Sequence, residues 1–217
     1  DEWTRYRDGF KNRRIHTVDV DPADETGQTI YAGSVAGLYR SDDGGRKWYP
    51  VSSEDLVIHS VVLHPMAPGR VIIGVEGDGV YVSHDRAEMF TRSSEGLHNL
   101  RITSLAADPE EKDRVYAAVA FGGAASGIYR SDDAGKNWNR VSTTTLPEVL
   151  SLVISQDPSS EARFLAGTEK GFFWSGNGVE WMQAPPLHFP IRVNKIVRFN
   201  HTRSFAATSE GVFTTRD

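Results

Sequence analysis

Five short runs of apolar and small residues recur along the chain: Ile15–Val20, Ile58–Leu63, Ile102–Ala107, Val149–Ile154 and Val193–Phe199. Their starts lie 43 to 47 residues apart. Runs this uniformly apolar fit strands that are covered on both faces. Asp21-Pro22, His64-Pro65, Asp108-Pro109 and Asp157-Pro158 then mark turns. Second apolar runs follow at Thr29–Ser34, Val71–Val75, Val115–Ala120, Phe164–Thr168 and Ser204–Thr208. Third runs open on Gly37, Gly79, Gly127, Gly171 and Gly211. After a polar turn, an aromatic residue (Trp48, Phe90, Trp138 or Trp181) begins a fourth strand. No stretch sustains a helical period. A repeat of about 44 residues holding four strands has the length of a propeller blade. The pattern therefore predicts one all-β domain over residues 1–217, a β-propeller of four-stranded antiparallel blades. Five blades are expected, with an arc of a six- to eight-bladed or larger propeller as the alternative.

The polar turn before the fourth strand has its own pattern, Ser-x-Asp-x-Gly-x-x-Trp. It is complete in Ser41, Asp43, Gly45 and Trp48, and again in Ser131, Asp133, Gly135 and Trp138. The serine hydroxyl and the carboxylate can accept backbone N–H groups a few residues on. Glycine can take the positive φ that folds the loop back. Tryptophan buries a large surface while its indole N–H stays near the polar turn. The second unit carries Ser83, Asp85 and Phe90, with Ala87 in the glycine place. The fourth carries Ser175, Asn177 and Trp181 and is one residue short. The fifth reaches only Thr215-x-Asp217.

These turns resemble Asp-boxes, also called BNR repeats, and the resemblance extends over essentially the whole chain. Proteins of this kind include sialidases, sortilin-type receptor propellers, xyloglucan-cleaving hydrolases and photosystem II stability/assembly factors. The resemblance implies the fold, and a secreted or periplasmic location, but no single function, because one scaffold hosts unrelated activities.

Trp3 aligns with Trp48, and Asp217 with Asp43. The strand around Trp3–Arg7 is therefore expected to complete the blade begun near Val193, hiding a sheet edge.

Charge and composition narrow the functional classes. The net charge is −5, which argues against nucleic acid as a partner. No apolar run is long enough for membrane insertion through a helix. With no cysteine, thiol catalysis and thiolate metal sites are excluded. The histidines form no His-x₃-His pair, and Asp42-Asp43-Gly44 lacks calcium-loop spacing, so no metal or cofactor is expected. Gly74–Gly79 is glycine-rich but precedes a strand, so no helix N-terminus could hold a phosphate. Sialidases carry an Arg-Ile-Pro string, whereas Phe189-Pro190-Ile191-Arg192 has those letters in another order. Asp19 is the one acid within an inner strand and reads as a hydrogen-bonded structural residue. Asn200-His201-Thr202 is a glycosylation sequon only in a eukaryotic secretory setting.

One constellation remains. Arg14, Val57, Arg101, Glu148 and Arg192 enter the five inner strands, and His16, His59, Thr103, Leu150 and Asn194 lie two positions on. Arg14, Arg101, Arg192, His16, His59 and Asn194 are thus expected to converge on one mouth of the central channel. Positive charge in a concave mouth suits an anionic ligand. The expected function is a non-catalytic interaction or assembly module binding another protein, or an anionic or glycan ligand. The alternative is a carbohydrate-active protein, a lectin-like binder or a glycoside hydrolase. Thr17, Ser60, Ser104 and Ser151 repeat a hydroxyl deeper in, expected to be packing near a narrow axis, with Lys195 breaking the pattern.

Overall fold

The computed structural model describes residues 2–12, 14–120, 123–185, 191–200 and 203–215. Blade one comprises β1 (Ile15–Val20), β2 (Ile30–Ser34), β3 (Gly37–Ser41) and β4 (Tyr49–Pro50). Blade two comprises β5 (Ile58–Leu63), β6 (Val71–Val75), β7 (Gly79–Ser83) and β8 (Thr91–Arg92). Blade three comprises β9 (Ile102–Ala107), β10 (Val115–Val119), β11 (Gly127–Ser131) and β12 (Asn139–Arg140), with a 3-10 turn at Gly123–Ala125. Blade four comprises β13 (Val149–Ile154), β14 (Phe164–Thr168), β15 (Gly171–Ser175) and β16 (Met182–Gln183). Blade five comprises β17 (Val193–Asn200), β18 (Arg203–Thr208) and β19 (Gly211–Thr215). Each sheet is an antiparallel meander in sequence order. The five blades are arranged as a β-propeller, with inner strands packing in the order β1, β5, β9, β13, β17.

The apolar pattern produces this stack directly. The inner strands of blades two, three and four each lie between a preceding and a following blade. Val61, Leu105, Leu152 and Ile196 occupy one repeat position, and each is buried against the blade before it. Gly74 lets the next inner strand approach, because a Cβ there would press on the Ile102 side chain. Hydroxyls join the strands across the same seams. Ser60, Ser104 and Ser151 accept the backbone N–H of Leu105, Leu152 and Ile196 at 2.9, 3.0 and 3.0 Å. The repeated serine is thus a hydrogen-bonded stitch between blades rather than mere axial packing, which is the expectation it replaces.

The Asp-box turns form as the sequence implies. Ser41 Oγ accepts the Gly45 N–H, and Asp43 Oδ1 accepts those of Arg46 and Lys47. Ser131, Ser83 and Ser175 anchor their turns the same way, Ser175 through Gly178 because its turn is one residue shorter. Ala87 takes a φ of 72°, the left-handed region that glycine fills in the intact copies. The fourth strands start one residue later than expected. Trp48 and Trp138 donate their backbone N–H groups to Asp8 and Glu95 in the preceding linker, not to a sheet neighbour.

Blade five has three strands among the described residues. Residues 2–7 pair with no strand, and Trp3 is fully exposed, so the expected fourth strand is not formed here. Pro186, Phe189, Pro190, His201, Thr202, Asp1 and Asp217, which figured in the loop, motif, sequon and terminus readings, lie outside the described residues.

Candidate functional site

The five inner strands share one irregularity. The β1–β2 register passes from Ile15 to Thr17, and the other blades skip His59, Thr103, Leu150 and Asn194 in turn. A bulge of this kind leaves one residue out of the ladder and re-aims its side chain. His16, His59, Thr103, Leu150 and Asn194 thus hold one structural position around the channel.

Just before each bulge, a second ring is fixed by backbone bonds. The carbonyls of Arg14, Val57, Arg101, Glu148 and Arg192 accept the N–H of Val35, Glu76, Ala120, Glu169 and Ser209. The three predicted arginines therefore sit at one end of the propeller. Their loops are also alike: Asn12 Oδ1 caps the Arg14 N–H, and Asn99 Oδ1 caps that of Arg101.

The side chains pair in a way that charge alone did not predict. The His16 and His59 rings stack, centroids 4.7 Å apart and 9° from parallel. His16 Nδ1 lies 3.2 Å from the Ile58 carbonyl and so carries its proton there. Thr103 has the equivalent role at the seam between blades three and four, donating to the Val149 carbonyl. His59 Nε2 lies 3.4 Å from Glu76 Oε2. Arg192 reaches Glu169 Oε1 at 3.3 Å through Nη1 and Asn194 Oδ1 at 3.2 Å through Nε.

Burial and its neighbour Glu169 raise the Glu148 carboxyl above its usual range, while Arg101 and Arg192 hold it down. The mouth is therefore an alternation of acid and base. Glu76 and Glu169 join Glu148, already expected in this ring, beside the arginines. Glu76 and Glu169 escaped the sequence reading because they sit after the second strand, on a different stretch of each repeat. Their signal was there: both immediately follow β6 or β14, aligned with Val35, Ala120 and Ser209.

Deeper in the channel, burial pushes Asp19 up to about 6, against the N–H groups of Leu63 and Val20 and the charge of Lys195. Burial lowers Lys195, and Asp19 opposes the shift. Asp19 Oδ2 accepts the Leu63 N–H at 2.9 Å, bridging blades one and two as the serines do elsewhere. Among the described residues, no three His, Asp or Glu side chains are placed to hold a metal ion.

Residues 128–141, covering β11, its polar turn and β12, match the family described as BNR-Asp box repeat. The chain is a five-bladed β-propeller that carries a BNR-Asp box repeat in its third blade. The Asp-box propeller is 23% identical over 143 residues to a probable oligoxyloglucan-reducing end-specific xyloglucanase of Neosartorya fischeri. That match covers 58% of this chain and 17% of the relative, so the chain spans a small part of the relative's length. It superposes on a GH74 xyloglucanase from Xanthomonas campestris with a TM-score of 0.74 and 19% identity, over 95% of this chain and 36% of that one. A structure of YCF48 bound to D1 peptide gives 0.56 and 13% identity, over 97% and 84%. At these identities the superpositions speak for the fold alone.

Proposed function

We propose that this Asp-box propeller is a non-catalytic interaction module that holds a carboxylate-bearing polypeptide segment on the mouth formed by Arg14, Arg101 and Arg192. The observation that carries this reading is the rim itself. Three arginines occupy one structural position in three blades, and Glu169 holds the Arg192 guanidinium. Arg101 of the third blade and Arg192 of the fifth both act on Glu148 of the fourth, so three successive blades present their charges to one spot. Alternating Arg and Glu matches the alternating donors and acceptors of an extended peptide better than a uniform anion. The peptide seen on YCF48 is consistent with a propeller of this shape serving such a purpose.

A carbohydrate-active reading stands second, on the sequence similarity to the xyloglucanase. Two titrations separate them: a fluorescein-labelled Asp/Glu-rich peptide and xyloglucan oligosaccharides, each followed by anisotropy or calorimetry with product analysis. Salt-sensitive peptide binding without sugar turnover supports the lead reading. Released reducing ends, or sugar binding without peptide binding, would overturn it.

A further inference from the structure

Asn177-Gly178 is the one Asn-Gly pair in the sequence. It lies in the fourth polar turn, at the place where the first three turns carry Asp43, Asp85 and Asp133. Such a pair has a chemistry of its own. The glycine nitrogen can attack the asparagine side-chain carbon, since no Cβ hinders the approach. A five-membered imide forms and ammonia leaves. The step is slow for three reasons: the nitrogen must lose its proton, the amide carbon is a weak electrophile, and the two must be held together. The fourth turn acts on all three.

The carbon is activated through its oxygen. Asn177 Oδ1 accepts the N–H groups of Val179 and Glu180 at 2.9 and 3.1 Å. Those two donors also decide which amide atom is the oxygen. The Ser175 hydroxyl donates to the same oxygen at 3.1 Å. Three donors on an oxygen that gains negative charge as the ring closes make an oxyanion hole. Bonds to the second and third residues on also fold the Asn177 side chain over the Gly178 peptide.

The nitrogen is served by the same hydroxyl. The Gly178 N–H donates to Ser175 Oγ at 2.9 Å. A proton leaving that nitrogen therefore has a path through one hydroxyl to Asn177 Oδ1. The Trp181 indole N–H holds the Gly178 carbonyl at 3.1 Å, and Thr144 Oγ1 accepts the Trp181 backbone N–H at 3.0 Å, so the turn is pinned from outside. The Asn177 side chain itself is exposed, which lets ammonia leave and water enter.

The other turns lack this arrangement. Ser41, Ser83 and Ser131 accept the N–H of Gly45, Ala87 and Gly135, each two residues past the aspartate. Loss of one residue in the fourth turn moves the bond to the nitrogen directly after Asn177, and only that nitrogen closes a five-membered ring. A carboxylate in the first three turns is also a poor electrophile.

We propose that the fourth turn deamidates itself in the folded protein, converting Asn177 through a cyclic imide with Gly178. The bond from Gly178 N to Asn177 Cγ forms as the nitrogen's proton passes through Ser175 to Oδ1. Collapse returns that proton to Nδ2, the Cγ–Nδ2 bond breaks, and ammonia leaves. Water then opens the imide. Attack at Cγ leaves aspartate at position 177, the residue type of the other turns. Attack at the main-chain carbonyl leaves isoaspartate, which adds one backbone carbon to a turn that is one residue short. Either product places a new negative charge after β15, at the end of the propeller away from the arginine mouth.

The test compares the parent protein folded and in urea at the same mildly alkaline pH. Trypsin releases residues 171–192 as one peptide holding Asn177, and mass spectrometry follows the imide and the deamidated product. Deamidation at position 177 is expected to run roughly tenfold or more faster in the folded protein than in urea. An equal or slower rate in the folded protein would overturn the proposal. Ser175→Ala removes the relay and should bring the folded rate down to the urea rate. A Ser175→Ala protein with the parent's circular dichroism and the parent's rate would also overturn it. Should that variant not fold, the comparison of folded and unfolded parent decides.

Discussion

The hydroxyl of Ser104 in the third blade holds the backbone N–H of Leu152 in the fourth at 3.0 Å, and both residues are buried. The bond crosses a seam whose other buried contacts are largely apolar. Removing the hydroxyl leaves the N–H without an acceptor. Ser104→Ala is expected to cost about 1–2 kcal/mol. For a domain of this size that lowers Tm by roughly 2–8 °C. Thermal denaturation of the variant beside the parent is the check.

A buried ion pair closes the same seam nearer the rim of the sheets. Asp108 is wholly buried and meets Arg163 of blade four at 2.7 Å, with Arg114 further off at 3.7 Å. Arg163→Ala strands that carboxylate, at a cost of about 3–5 kcal/mol. Asp108→Asn combined with Arg163→Met removes both charges and is expected to recover much of the loss. Chemical denaturation of the single and double variants tests this, and equal destabilisation would contradict it.

These examples show which regions of the molecule could be read in advance. The inner strands were visible because a run such as Ile102–Ala107 is apolar on both faces, which only a strand covered on both sides requires. The box turns were visible because Ser131, Asp133 and Gly135 each have a local hydrogen-bonding task in closing the turn. The bulge at His16 and His59 was not visible, since skipping one residue in the ladder leaves the apolar period around it unchanged. Nor was the role of Ser60, which depends on the neighbouring blade's register rather than on its own strand. The pairing of Arg192 with Glu169 joins residues 23 apart, across strands whose relative depth no local pattern fixes.

Asp19 gives the fold a pH dependence whose sign follows from its surroundings. Its carboxyl is raised from 3.8 to about 6, chiefly by burial. A carboxyl raised on folding binds its proton more tightly in the native state. The stabilisation is complete below about pH 4 and is lost as pH rises through about 6. Because the channel admits water, the contribution is on the order of 1–2 kcal/mol. Asp19→Asn keeps an acceptor for the Leu63 N–H and removes the titration. Wild-type stability should therefore fall relative to this variant between pH 4 and 7. Parallel pH profiles of the two proteins would contradict the assignment.

The claim that the channel mouth is the working surface is tested most directly by one affinity. The dissociation constant of a fluorescein-labelled Asp/Glu-rich peptide is measured by anisotropy for the wild type and for Arg14→Ala/Arg101→Ala/Arg192→Ala, at low and at raised salt. Each arginine removes a partly screened charge interaction of about 0.5–1 kcal/mol, so the variant should bind roughly tenfold or more weakly, with a flatter salt dependence. Equal affinities, with the same response to salt, would contradict it.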